Sequence, residues 1–297
     1  KNNKVDFTRK ILSEKKAVQN IGGKIYYTQS KLFSSSKIIN DLSINLNNTQ
    51  KKYLDLTKSK IKSSQISFEK DVEKFRELKV LIIGEAIIDK YVFCEALGKS
   101  GKEPMLVMRD LESKKYLGGT LAIAKNISSY CKKVSVLTYL GSERSEIKFM
   151  KKNLPKNIEL NYVIKENSPN IIKTRFVDHI NLTKLFGVYT IGADMISKRN
   201  EENLLKKLKK KIKNFDLVVV SDYGHGLITD KLRAYIMKNS KFLSVNAQLN
   251  AANIGFHNIA KYKFSDLLII NENELRYEMR DKESNLNTLM LNLTNKV

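Results

Sequence analysis

The chain has 297 residues, of which 42% are hydrophobic, so it can bury a sizeable core and is not disordered throughout. Its 54 Lys and Arg residues against 31 Asp and Glu residues give a net charge of +23, which raises the question of a polyanionic partner. The lysines are scattered over helical stretches such as residues 206–213, so a solvated basic surface is favoured over a nucleic-acid site, and no apolar run is long enough to span a bilayer.

The first 76 residues differ in composition from the rest of the chain. Residues 22–28 alternate like a strand, and residues 33–40 contain serines that either cap a helix or help to hold a phosphate. Residues 41–75 are rich in Lys, Ser, Asn and Leu at helical spacing, which is typical of a helical linker.

Beyond this linker, short apolar runs alternate with helical patterns. Such runs are typical of strands buried on both faces of a parallel sheet. The five runs are residues 80–83, 134–137, 217–220, 242–245 and 267–270. Ligands in these sheets bind beyond the carboxyl ends of the strands, so the polar residues that follow each run are the candidates for a functional site.

Two further stretches, residues 91–116 and 171–189, look like pairs of strands without an intervening helix. They predict a small second sheet that protrudes from the main one and could act as a lid. Between them lies Cys131, at the end of an apolar helical pattern where a buried thiol is expected. Neither it nor Cys94, the only other cysteine in the sequence, has metal-ligand spacing, which fits a reducing cytoplasm.

Two candidate segments could bind the hydroxyls of a ligand. Asp89 follows the first apolar run, and a carboxylate there can accept hydrogen bonds from two neighbouring sugar hydroxyls, although turn aspartates are common. Gly118 and Gly119 precede a helix, where paired glycines let a ligand approach the backbone or simply form a tight turn.

Two other segments could lie near an anionic or reacting group. Lys173 and Arg175 are two apart in a predicted strand and would face the same side, either towards a phosphate or towards solvent. The sequence Asp222-Tyr223-Gly224-His225-Gly226 follows the most apolar run, and its glycines suggest a bare loop over a ligand with Asp222 near the reacting centre.

The last two runs are each followed by polar side chains. Asn246 follows one, and Asn271 with Glu274 follows the other. An Asn and a Glu three apart could position hydrated Mg²⁺ beside a triphosphate, or could belong to the acidic start of a helix.

The ordered set of these motifs from residue 79 to the end resembles the PfkB carbohydrate kinases, which are ribokinase-like. Within them it is most similar to the heptose-phosphate kinase half of bifunctional heptose kinase and nucleotidyltransferase proteins. Residues 22–40 are similar to the end of a cytidylyltransferase-like domain. The resemblance implies a remnant of that domain at residues 1–40, a linker at 41–76 and an incomplete kinase domain at 77–297.

The resemblance also implies a fold and a set of roles. The fold is a three-layer αβα arrangement with a mostly parallel sheet and a small β lid, truncated at the C-terminus, with a homodimer formed through the lid. The activity is ATP-dependent phosphorylation of a sugar or sugar phosphate in the synthesis of a nucleotide sugar. The implied sugar ligands are Asp89, Gly118, Gly119, Lys173, Arg175 and Asp222. The implied nucleotide ligands are Asn246, Asn271 and Glu274, with Glu274 holding Mg²⁺ through water.

Three departures from the family pattern matter, and the first two leave an alternative open. Ala122 stands where many members have Asn, and His225 stands where heptose kinases commonly have Lys. The Gly-Ala-Gly-Asp segment that supplies the catalytic base does not occur, so we expect a truncated sequence and assign no catalytic residue. The alternative is a sugar-binding pseudokinase that regulates the attached nucleotidyltransferase.

Overall fold

A computed structural model describes residues 11–24, 46–63, 68–192, 194–255 and 257–297. The chain divides into two compact units, residues 1–67 and residues 68–297. The first unit contains helices α1 (Ile11–Asn20) and α2 (Asn48–Ser63). Of the predicted strand at residues 22–28 only the first three residues are described, and the serine-rich residues 33–40 lie outside the described part.

The second unit is built on a six-stranded parallel sheet, here called sheet A. Its order is β10-β9-β8-β1-β4-β5, and every neighbouring pair is parallel. The strands are β1 (Lys79–Gly84), β4 (Lys133–Leu140), β5 (Ile158–Ile164), β8 (Leu217–Asp222), β9 (Leu243–Ala247) and β10 (Leu267–Leu268). Each of the five predicted runs contributes a strand to this sheet.

Helices cover both faces of sheet A because its strands are apolar on both sides. In β1, Leu81 and Ile83 join one core cluster while Val80 and Ile82 join the other. Two buried cores around one sheet make the three-layer arrangement that the sequence predicts. The helices of this unit are α3 (Phe68–Arg76), α4 (Thr120–Ile127), α5 (Arg144–Asn153), α6 (Lys198–Lys211), α7 (Asp230–Asn239), α8 (Glu272–Met279) and α9 (Leu286–Thr294).

A second sheet of four strands, here called sheet B, confirms the prediction of two helix-free stretches. Its order is β3-β2-β6-β7. The strands are β2 (Ala86–Lys99), β3 (Leu106–Gly119), β6 (Ile171–Asp178) and β7 (Lys184–Thr190). Only Glu85 separates the end of β1 from the start of β2, so the two sheets meet where the candidate sugar ligands lie.

The sequence did not predict β5, whose Glu159 and Asn161 interrupt an apolar pattern at the edge of sheet A. The predicted run at residues 267–270 is a strand for only two residues, so its pairing with β9 is short. Among the described helices, none has both the length and the apolar character needed to cross a membrane.

Candidate functional site

The first part of the site is an ion pair at the base of sheet B. Asp89 in β2 lies opposite Lys173 in β6. Arg175 is two residues further along β6, so its side chain is on the same face of sheet B as that of Lys173. The Arg175 Nη1 atom donates to Asp89 Oδ1 at 2.5 Å. The structure therefore brings three predicted ligands together, and it directs the Arg175 guanidinium to a carboxylate of the protein.

Lys173 is buried, with only 6% of its surface exposed. Its ammonium lies 5.4 Å from the ring centroid of Tyr189 and 5.3 Å from that of Tyr223. Burial lowers the pKa of Lys173, and the nearby Asp89 carboxylate partly opposes this effect. In the described part of the chain no carboxylate forms an ion pair with it, so this cation is held between aromatic faces.

The absence of a side chain at Gly118 leaves space for the Asp89 carboxylate. Gly118 pairs with Ile87 across the β2 and β3 ladder, and a Cβ at this position would overlap Asp89 Oδ2. Gly119 ends β3 at a φ of 56° and is the N-cap of α4. The two glycines thus form the tight turn, while the first one also allows a close approach to a predicted sugar ligand.

Glu85 holds the loop of residues 222–226, although the sequence analysis did not single it out. This side chain is completely buried. Its Oε2 accepts from the Tyr223 amide at 2.9 Å, and its Oε1 accepts from the amides of His225 at 3.0 Å and Leu227 at 3.4 Å. Burial, followed by repulsion from Asp222, raises the pKa of Glu85 to about 7, against the lowering effect of these amides.

Asp222 uses its carboxylate inside the protein. Oδ2 accepts from the Tyr262 hydroxyl at 2.7 Å, and Oδ1 accepts from the Gly224 amide at 3.0 Å. His257 Nε2 lies 3.6 Å from Oδ1 and 3.1 Å from the Asp222 carbonyl oxygen. The side chain is buried beneath the loop, so its role as a sugar ligand stays a prediction that would require this network to rearrange.

The same loop is also held from the side of β9. Asn250 Nδ2 and Asn253 Nδ2 each donate to the Tyr223 carbonyl oxygen at 2.9 Å. Gly224 adopts a φ of 68°, and a Cβ there would lie 2.7 Å from Asn253 Nδ2. With Glu85 on one side and these amides on the other, the loop has a fixed shape.

The three predicted nucleotide ligands belong to two separate groups of hydrogen bonds. Asn246 Nδ2 donates to the Ile269 carbonyl oxygen at 2.8 Å and so links β9 to the segment after β10. Asn271 and Glu274 form a capping box on α8, since Asn271 Oδ1 accepts from the Glu274 amide and Glu274 Oε2 accepts from the Asn271 amide. The other oxygen of Glu274 accepts from the Leu249 amide at 3.1 Å.

A cavity of about 470 Å³ lies beside this capping box, in the size range of small-ligand sites. Its lining includes Glu274 and His257, the aromatic ring of Tyr277 and the cations Arg280 and Lys296. His257 also contacts the Asp222 carbonyl oxygen, so the cavity adjoins the loop of residues 222–226. Of the three predicted nucleotide ligands, Glu274 alone lines the cavity.

The described residues do not fit direct coordination of Mg²⁺. Both Glu274 oxygens already accept a backbone N–H, and nowhere in the described ranges do three or more His, Cys, Asp or Glu side chains cluster as metal ligands would. Each carboxylate oxygen keeps a second lone pair, which suits an outer contact through water. The metal would then arrive with a nucleotide rather than occupy a protein site of its own.

Glu85 and Tyr262 hold the candidate site by hydrogen bonds, and sequence reasoning identified neither of them. Glu85 follows the first strand directly, so the rule that polar residues after a buried strand line the site would have found it. Tyr262 gave no such signal, because it reaches Asp222 from a segment without a strand, 40 residues along the chain.

Comparison with known proteins gives relatives that match up to 69% of the chain. No protein-family model matches the chain. The chain is 29% identical over 210 residues to bifunctional protein HldE of Campylobacter jejuni subsp. jejuni serotype O:6, which covers 69% of this chain and 43% of the relative. It is 29% identical over 159 residues to bifunctional protein HldE of Haemophilus influenzae strain PittEE, covering 53% of this chain and 32% of the relative. The chain thus spans less than half the length of these curated relatives.

Two solved structures share the architecture at low identity. Phosphofructokinase-2 from Escherichia coli, in complex with fructose-6-phosphate, has a TM-score of 0.52 and 11% identity, covering 73% of this chain and 70% of that one. Arabidopsis thaliana ribokinase, complexed with ribose and ATP, has a TM-score of 0.50 and 14% identity, covering 74% and 68%. The protein therefore has the three-layer α/β fold of the ribokinase-like sugar kinases.

Proposed function

We propose that the protein binds a sugar or sugar phosphate and takes part in its ATP-dependent phosphorylation. The observation that carries this proposal is the cluster of Asp89, Lys173 and Arg175 where sheet B meets the loop of residues 222–226. A carboxylate suits sugar hydroxyls and a buried cation suits an anionic group, so the cluster has both parts that a sugar phosphate requires.

The acceptor would lie between the two sheets. Asp89 would accept from its hydroxyls, the backbone at Gly118 and Gly119 would approach it closely, and Lys173 with Arg175 would approach its phosphate. Asp222 is assigned to the substrate side because its loop faces this cluster. Transfer would rely on positioning and charge stabilisation, as is general for phosphoryl transfer.

The donor would occupy the cavity beside Glu274. Tyr277 offers an aromatic face, and Arg280 and Lys296 offer positive charge for phosphates. Asn246 and Asn271 would contact the nucleotide from the rim, and Glu274 would contact a hydrated Mg²⁺ that accompanies ATP. When bound, Mg²⁺ would supply charge neutralisation for the phosphates.

The finer assignment is a heptose phosphate in a bifunctional kinase and nucleotidyltransferase that makes a nucleotide sugar in the cytoplasm. It rests on the motif resemblance, and the similarity to bifunctional protein HldE supports it. Exposed apolar side chains on β7, among them Phe186 and Val188, support the expected homodimer contact through sheet B.

Binding and turnover should be measured together on the protein. Thermal stabilisation by hexoses, heptoses and their phosphates would report binding, and ATP consumption would report transfer. Asp89→Asn should lower sugar affinity about tenfold or more, because an amide replaces one acceptor oxygen with a donor. Asp110→Asn, on the exposed part of the same sheet, is the matched control and should bind as the wild type does.

The outcomes separate the proposal from its alternative. Turnover that is lost in Asp89→Asn would support the kinase. Sugar-dependent stabilisation without ATP consumption would favour the sugar-binding pseudokinase, and the absence of any stabilisation by the whole panel would refute both. The alternative is kept because Ala122 and His225 depart from the pattern of the kinases that the chain resembles.

A further inference from the structure

His225 is a buried side chain with an unused polar atom. Only 4% of the residue is exposed, and its Nε2 atom has no hydrogen-bond partner among the described residues. Burying a polar atom without a partner is unfavourable, so such an atom beside a binding site suggests that a ligand completes the contact.

The backbone of His225 is fixed on both sides. Its amide donates to Glu85 Oε1 at 3.0 Å, and its carbonyl oxygen accepts from the Tyr139 hydroxyl at 2.8 Å. Gly224 and Gly226 flank it with φ values of 68° and 90° and no side chains of their own. The imidazole is therefore presented in a defined position, and the backbone beside it is bare.

Charged groups of both signs surround His225, among them the Lys173 ammonium and the Asp222 carboxylate. Burial, and then the nearby Lys173 ammonium, lowers the pKa of His225 to about 4, so the ring is neutral at pH 7. Arg175 is paired with Asp89, whereas Lys173 forms no ion pair in the described part of the chain. A neutral N–H donor next to an unbalanced cation favours an anionic oxygen as the missing partner.

We propose that His225 Nε2–H donates a hydrogen bond to a phosphate oxygen of the acceptor, whose charge Lys173 balances. This rests on the proposed function, since it presumes that the acceptor is a sugar phosphate. It adds His225 to Lys173 and Arg175 as a contact of that phosphate. His225 would then discriminate phosphorylated from unphosphorylated sugars.

The test is histidine ¹⁵N NMR, because the chain has three histidines. Spectra would be recorded with sedoheptulose 7-phosphate, sedoheptulose and inorganic phosphate in turn. The Nε2 resonance of His225 should move with the phosphorylated sugar and inorganic phosphate but not with sedoheptulose. The exposed His179 provides the internal control, whose resonance should stay in place.

Affinities of variants provide an independent measurement. His225→Ala should weaken binding of sedoheptulose 7-phosphate about tenfold, which corresponds to about 1.4 kcal/mol, and leave sedoheptulose binding unchanged. His225→Gln should recover part of the loss, since its amide keeps a donor near the same place. His179→Ala should bind both ligands as the wild type does.

Each remaining outcome contradicts the assignment. If both sugars bind but neither moves the His225 resonance, the proposed function stands and the role of His225 is wrong. If sedoheptulose moves the His225 resonance as far as sedoheptulose 7-phosphate does, the contact is to a hydroxyl and not to phosphate. If neither sugar binds, this inference fails, and the proposed function fails with it only if the whole panel of sugars also gives no stabilisation.

Discussion

The replacement of Glu85 by Gln tests whether a buried carboxyl with a raised pKa anchors the loop of residues 222–226. In the folded protein the pKa of Glu85 is about 7, against an ordinary value of 4.5. The folded state therefore binds the proton more tightly than the unfolded state does. Its contribution to stability is fully present below pH 4.5 and is lost as the pH rises through 7.

The size of this effect follows from the two pKa values. Between pH 5.5 and pH 8, ionisation of Glu85 should lower the free energy of unfolding by about 2 kcal/mol. Glu85→Gln removes this titration. The new amide nitrogen would face backbone N–H donors, so the variant would lose at least one of the three hydrogen bonds that Glu85 accepts. The variant should thus be less stable than the wild type at pH 5.5, and the gap should shrink by about 2 kcal/mol at pH 8.

Urea unfolding followed by tyrosine fluorescence at the two pH values would measure this difference. Tyr139→Phe is the matched control, because it removes the hydrogen bond to the His225 carbonyl oxygen without adding or removing a group that titrates in this range. Its deficit should be equal at both pH values. A Glu85→Gln deficit that is also equal at both would refute the reasoning.

Two further substitutions test the turn and the capping box. Gly118→Ala should abolish sugar-dependent thermal stabilisation, because the new methyl group overlaps the Asp89 carboxylate. Gly101→Ala is the control and should keep the stabilisation, because there is open space around Gly101. Equal sugar binding by the two variants would contradict the close approach of Gly118 to Asp89. Asn271→Ala should lower the free energy of unfolding in urea by about 1 kcal/mol through loss of the α8 cap, and the exposed Asn273→Ala provides the control. An Asn271→Ala protein as stable as its control would show that the cap contributes nothing.

The sheet and the lid could be predicted because their information is local. Each buried strand, such as residues 217–220, is a continuous apolar run, and the helix-free stretches read directly as strand pairs. The meeting of Asp89 with Lys173 and Arg175 was implied by the family resemblance, since the three residues lie within strands β2 and β6. Strand β5 was not predicted because it lies at the edge of sheet A, where most of its residues are only partly buried and polar residues interrupt the apolar pattern.

The orientation of Asp222 could not be predicted in the same way. Its hydrogen-bond partner Tyr262 and its neighbour His257 come from a segment without regular structure 35 to 40 residues later, and no local pattern indicates that contact. The acidic start of a helix was foreseen at Asn271 and Glu274 as the alternative to a metal site, and the structure has a helix start with a capping box there. Sequence pattern located these residues, but the hydrogen-bond geometry decides what each oxygen does.

The placement of the site across two sheets separates its internal distances into two classes. Asp89, Lys173 and Arg175 all belong to sheet B, so the hydrogen bonds between β2 and β6 keep their spacing constant whatever angle the sheets adopt. The distance from Lys173 to Tyr223 instead joins one sheet to the other. A rotation of sheet B at Glu85, the single residue between β1 and β2, would leave the distances within sheet B unchanged and alter the distance from Lys173 to Tyr223. A measurement of that second distance would therefore report the position of the lid.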